Sequence, residues 1–227
     1  MDARRASVLG TLGIERFVPR ERGLDAAAGA GQDPVAAQIA ALDWPALERA
    51  VAGCTRCALA SGRTNTVFGV GDPAARWLVI GEAPGAEEDR QGKPFVGRAG
   101  QLLNSMLRAA GLAREQVFIA NVLKCRPPGN RDPLPEEVRC CMPYLQRQIA
   151  LIRPRLILCV GRIAAQNLLG TDTPIGKLRG HTHTLEPFDT PVVVTYHPAY
   201  LLRSPGEKRK VWEDLRLAME VARGNGA

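Results

Sequence analysis

The sequence predicts a layered α/β domain on a parallel sheet, and three observations carry that prediction. Four short runs, 77–80, 117–122, 155–161 and 191–196, are dense in branched apolar residues with no polar alternation, the pattern of strands buried on both faces. Helical periodicity falls between successive runs, which implies right-handed βαβ units. Each run then breaks abruptly, as at Gly81-Glu82-Ala83-Pro84-Gly85 and His197-Pro198. The architecture expected is a three-layer α/β/α sandwich with a central four-stranded parallel sheet.

Residues 1–40 alternate basic stretches with Ala/Gly runs and show little periodicity, so they read as a mobile tail ahead of a domain over 41–227. A short helix is expected from Trp44-Pro45. After the first strand comes a polar loop with Glu87, Glu88 and Asp89. A helix follows with Leu102, Leu103, Met106 and Leu107 on one face and Gly111 at its end. Beyond the second strand, Lys124-Cys125-Arg126-Pro127-Pro128-Gly129 reads as a basic loop. Pro135 suits a helix N1 position, and Pro143 should interrupt or kink that helix. A helix over 163–169 closes on Gly170, and a final helix covers about 207–222.

The chain has 227 residues, 45% hydrophobic and 23% charged, which suits one globular domain with a tail. No run is long and apolar enough to span a bilayer, and the N-terminus lacks the order of a secretory signal, so a cytoplasmic protein with no membrane partner is expected. A net charge of +7 permits nucleic acid as a partner. Gly69-Val70-Gly71 precedes the first strand, which rejects a dinucleotide fingerprint.

Three polar residues end parallel strands: Glu82, Asn121 and His197. Carboxyl ends of parallel strands converge, so the three should share one cleft. The six cysteines belong to a reducing compartment and do not read as disulfides. Cys159 lies in an apolar strand and reads as core. Cys54-x2-Cys57, Cys125 and the adjacent Cys140 and Cys141 offer more thiols than the four that zinc or a [4Fe–4S] cluster needs, and spacing does not choose between those metals.

Gly81-Glu-Ala-Pro-Gly85, Pro94-Phe-Val-Gly97 with Ala99-Gly100, Asn121 followed by Lys124-Cys125-Arg-Pro-Pro, and His197-Pro198 together resemble the family 4 uracil-DNA glycosylases. The likeness covers about 45–222. It implies an enzyme hydrolysing the N-glycosidic bond of uracil in DNA, the first step of base-excision repair. It also implies a [4Fe–4S] cluster on Cys54, Cys57, Cys125 and Cys141, the last chosen over Cys140 by its interval from Cys125. By the same resemblance Asn121 reads the uracil edge, Phe95 stacks on the ring, His197 donates to O2, and Glu82 with Ala83 lines the pocket. Glu82 would position water or stabilise the sugar cation. Related families carry an Asp at the position of Ala83, and this sequence does not. Glu88 would fill the space at uracil C5.

Leu201 stands where related enzymes place a wedge into the duplex, and Arg203, Lys208, Arg209 and Lys210 could hold phosphates. The expected partners are uracil-containing DNA, single- or double-stranded, with uracil as product and the protein as a monomer near the nucleoid. Two other readings are a non-catalytic or covalently trapping uracil-DNA binder and an iron–sulfur electron carrier. His181 and His183 receive no role.

Overall fold

A computed structural model of the chain describes residues 33–224. Of the tail expected over 1–40, residues 1–32 lie outside the described residues. The rest departs from expectation, because Pro34–Ala40 forms helix α1 with Ile39 buried. Its sequence, PVAAQIA, sets Val35 and Ile39 one helical step apart but is too short to show a repeated stripe.

Six strands form one sheet in the order β1-β3-β2-β4-β6-β5. They are β1 (Val70–Gly71), β2 (Trp77–Gly81), β3 (Phe118–Asn121), β4 (Leu156–Val160), β5 (Thr182–Leu185) and β6 (Thr190–Thr195). The four predicted strands are the parallel centre, β3-β2-β4-β6. Two short antiparallel strands, β1 and β5, extend its edges beyond the expected four.

Alternate strand residues feed two cores, as the period of two demands. Leu78, Ile80, Ala120, Ile157, Cys159, Val192 and Val194 face one side. There they meet Leu47 and Val51 of α2 (Trp44–Ala52), Leu145 and Ile149 of α5 (Pro135–Ile152), and Ala164 and Leu168 of α6 (Arg162–Leu169). Val79, Ile119, Leu158, Val160 and Val193 face the other, against Leu103 and Leu107 of α4 (Arg98–Ala109) and Val211 and Leu215 of α9 (Lys208–Gly224). Helices therefore cover both faces, which is why the central strands read as continuous apolar runs. Three short helices complete the described residues: α3 (Ala86–Gln91), α7 (Ile175–Leu178) and α8 (Pro198–Arg203). Helix α3 occupies what the sequence suggested was loop.

One feature corrects the reading of a single residue. Helix α5 runs unbroken through Pro143, because its buried face on both sides of the proline outweighs one lost hydrogen bond. Its start is fixed by Glu137, which accepts from Leu134 N at 2.8 Å and pairs with both terminal nitrogens of Arg131. The C-terminal helix grips the sheet through Asp214, which is fully buried. Asp214 accepts from Thr195 Oγ1 at 2.8 Å, Arg179 Nη2 at 2.9 Å and Arg179 Nε at 3.1 Å. That knot sits at the last residue of β6.

Candidate active site

Three of the four parallel strands, β2, β3 and β6, bring their carboxyl ends to one cleft of about 460 Å³, lined by Glu82, Glu88, Phe95, Asn121, Asp132 and His197 among others. Glu82 follows β2, Asn121 ends β3, Gly161 follows β4, and His197 lies two residues past β6. The three residues singled out at strand ends are thus brought together, with Ala83 and Arg203 on the same wall.

The floor is built around Gly81, which pairs in register with Asn121. A Cβ at 81 would stand 2.5 Å from Asn121 Oδ1 and 2.6 Å from Phe95 Cζ, so only glycine lets the amide and the ring meet there. Asn121 is 2% exposed, and its Oδ1 is buried without a hydrogen-bond partner. Buried polar atoms are nearly always paired, so an acceptor left open in a cleft is prepared for a donor from outside.

Phe95 takes a φ of 52°, a left-handed conformation that an aromatic residue rarely adopts. Two contacts hold it. Gly100 in α4 packs so closely that a Cβ there would lie 1.8 Å from Phe95 O. Glu88 Oε1 accepts from Val96 N at 3.0 Å and Gly97 N at 3.1 Å, fastening the loop just beyond the ring. Glu88 therefore shapes the cleft by anchoring its loop as well as by lining it.

His197 caps α8: its Nδ1 accepts from Ala199 N at 3.1 Å. A backbone amide can only donate, so Nδ1 is unprotonated and the ring proton belongs to Nε2. Burial, then the nearby Arg203 charge, pushes its pKa down to about 4, with Glu88 pulling weakly the other way. The ring is consequently neutral at pH 7 and still carries one N–H donor. It lies 5.7 Å from the Phe95 ring, centroid to centroid. On its other side Gly161, at φ 102°, leaves room for it, since a Cβ there would meet His197 Cβ at 3.1 Å.

Glu82 is a carboxylate held near neutrality. Burial, followed by the Asp132 carboxylate, pushes its pKa up from 4.5 to about 7, and Arg162 opposes the rise. Arg162 and Asp132 are themselves paired at 3.0 Å. Neither residue was singled out in the sequence, where Asp132 looks like one more charge in a Pro/Gly-rich loop.

One expectation fails on placement. Leu201 is 1% exposed and belongs to the core beneath α8, so it cannot enter a duplex from its position. The capped helix starting after His197 turns residue 201 inward and leaves Leu202, at 39%, and Tyr200, at 36%, facing solvent. His183 Nε2 contacts Leu178 O at 2.7 Å within β5, and His181 is exposed.

Behind the cleft floor, Cys54, Cys57, Cys125, Cys140 and Cys141 line a second cavity with Arg63 and Tyr144, while Cys159 lies apart in β4. Among the described residues no three His, Cys, Asp or Glu close around a single ion. Burial pushes the Cys57 and Cys125 thiols up and takes Cys141 to about 12. Two N–H donors already address the sulfurs: Arg63 Nη1 lies 3.3 Å from Cys125 Sγ, and Lys124 N lies 3.2 Å from Cys141 Sγ. An all-sulfur donor set in a dry cavity with N–H groups aimed at sulfur fits an iron–sulfur cluster.

A cleft with an open amide, an aromatic ring and a neutral histidine at the ends of parallel strands has the make-up of an enzyme's site. Residues 68–216 match the family model described as the Uracil DNA glycosylase superfamily. The chain is 46% identical over 179 residues to a Type-4 uracil-DNA glycosylase of Archaeoglobus fulgidus, covering 76% of this chain and 90% of that one. It is 43% identical over 180 residues to the Type-4 enzyme of Thermotoga maritima, covering 76% and 91%. A Type-5 uracil-DNA glycosylase of Thermus thermophilus is 34% identical over 149 residues, 58% of this chain and 68% of its own. The chain belongs to the Type-4 uracil-DNA glycosylases.

Proposed function

We propose that this protein hydrolyses the N-glycosidic bond of uracil in DNA, with Asn121, Phe95, His197 and Glu82 in the working roles. The observation that carries the assignment is the unpartnered, buried Oδ1 of Asn121 beside Phe95 and His197. Uracil offers N3–H as a donor and O4 as an acceptor, and one amide meets both. Phe95 supplies the face on which an extruded base stacks. Ala83 leaves space on the wall, and Glu88 keeps the Phe95 loop against the C5 edge.

Bond cleavage leaves an oxocarbenium-like sugar and a uracil anion. The Nε2–H of neutral His197 donates to O2 as charge gathers there, a contact that strengthens in the transition state. Ionised Glu82 accepts a proton from water or faces the sugar cation. Hydrolysis then balances: water adds to the sugar carbon, and uracil leaves carrying one proton. Leu202 and Arg203, flanking the cleft on α8, take the place expected for Leu201 at the duplex, with phosphates held by neighbouring basic residues.

Cys54, Cys57, Cys125 and Cys141 would hold a [4Fe–4S] cluster, which would cross-link the segment before the sheet to the loop after β3. Cys140 lines the same cavity and is left over. The enzyme works as a monomer on DNA. The test is uracil release from a defined oligonucleotide by iron-loaded protein, with a thymine oligonucleotide as control. Release confined to uracil and iron near four per chain are expected. Iron-loaded protein that releases no uracil would overturn the catalytic reading, and stoichiometric zinc would overturn the cluster.

A further inference from the structure

Lys124 is fully buried, a rare state for a lysine, and although it borders the thiol cavity its ammonium bonds to groups outside the cysteine set. Its Nζ donates to Asn121 O at 2.9 Å and to Gln148 Oε1 at 2.6 Å. Gln148, also fully buried, passes the link on by donating from Nε2 to Phe68 O at 3.0 Å. The chain of contacts runs from the backbone of Asn121 to that of Phe68, whose neighbour Val67 donates from its N to Lys124 O at 2.8 Å.

The placement has a structural reason. Edge strand β1 pairs with β3 only at Phe118 and Ile119, so Asn121 lies beyond its reach. On the other side β2 follows it, with Val122 N donating to Gly81 O. The Asn121 carbonyl receives the ammonium where a strand would otherwise stand. Apolar residues of the same volume would fill this core without desolvating a charge, so a lysine kept here has a use other than packing.

We infer that Lys124, braced by Gln148, is a positioning residue for uracil recognition: it fixes the end of β3 so that the Asn121 amide meets the uracil edge at one orientation. The inference rests on Asn121 being the reader of uracil. Lys124 touches neither substrate nor reacting atoms, and its effect passes entirely through Asn121.

The test compares Lys124→Met with Lys124→Met/Gln148→Met, the second variant removing Gln148 Oε1, the side-chain acceptor that the first leaves orphaned, together with the donor to Phe68 O. The readouts are visible absorption, iron content, inhibition by free uracil, and the split between KM and single-turnover rate. We expect iron and absorption to hold while inhibition by uracil weakens about tenfold or more, the usual scale for losing a residue that orients a binding group. KM should rise more than the single-turnover rate falls. In an Asn121→Ala background the same substitutions should add nothing to the loss. Wild-type uracil inhibition in either variant would overturn the inference, as would an equal loss in the Asn121→Ala background. If Asn121→Ala alone left uracil inhibition unchanged, the fault would lie with the reading of Asn121 instead.

Discussion

Replacing Asp132 with Asn should make the enzyme work better in acid. Glu82 acts as a carboxylate, and its pKa stands at about 7. About a tenth of it is then ionised at pH 6 and about nine tenths at pH 8, so single-turnover excision should climb across that range. Burial is the larger cause of the rise and Asp132 the second, so Asp132→Asn removes only part of it. The same change frees Arg162, which is paired to Asp132 at 3.0 Å, to act on Glu82 alone. Both effects favour the ionised form. The midpoint should move toward acid by about half to one pH unit, which raises the rate at pH 6 about two- to sixfold and leaves it unchanged above pH 8.5. Arg162→Gln should move it the opposite way. The assay is single-turnover excision on a uracil oligonucleotide in buffers of constant ionic strength. A midpoint unmoved by either substitution, or an acid limb that survives in Glu82→Gln, would refute the reasoning.

His197→Ala should lower single-turnover excision on the order of a hundredfold or more while binding of uracil-containing DNA changes little, because the contact it removes matures in the transition state; quench-flow rates beside a binding titration check it. Leu201→Ala should destabilise the fold by about 2–5 kcal/mol in a denaturant titration, as for a buried leucine, whereas Leu202→Ala should leave stability intact and weaken activity on duplex more than on single strands. Cys159→Ser and Cys140→Ser should keep their iron, while Cys57→Ser, Cys125→Ser and Cys141→Ser should lose visible absorption; bleaching in Cys140→Ser and not in Cys141→Ser would exchange that pair. Gly161→Ala should reduce excision with little loss of DNA binding, since its Cβ must push His197 aside and the φ of 102° disfavours any side chain.

Much of this site was legible because its parts sit at ends. A parallel strand announces itself as a branched apolar run, and the first polar residue after it is delivered to the cleft, so Glu82, Asn121 and His197 could be read off one by one. Residues whose role depends on a distant partner could not. Lys124 resembles its basic neighbours until Gln148 arrives from α5, and Asp132 resembles any loop acid until Glu82 lies opposite. The error at Leu201 was one of phase. Counting from His197 gives the position, but the cap on Ala199 sets how the short helix is turned. Strands β1 and β5 escaped because Val70–Gly71 is too short to show alternation and Thr182–Leu185 too polar to suggest burial.

The knot at Asp214 bears on how the site is held in line. Glu82 and Asn121 come early in the chain, yet the strand that carries His197 is tied down by a carboxylate near the C-terminus of the chain. The alignment of His197 therefore depends on a helix far from it in sequence, whereas the strands that carry Glu82 and Asn121 make no bond to Asp214.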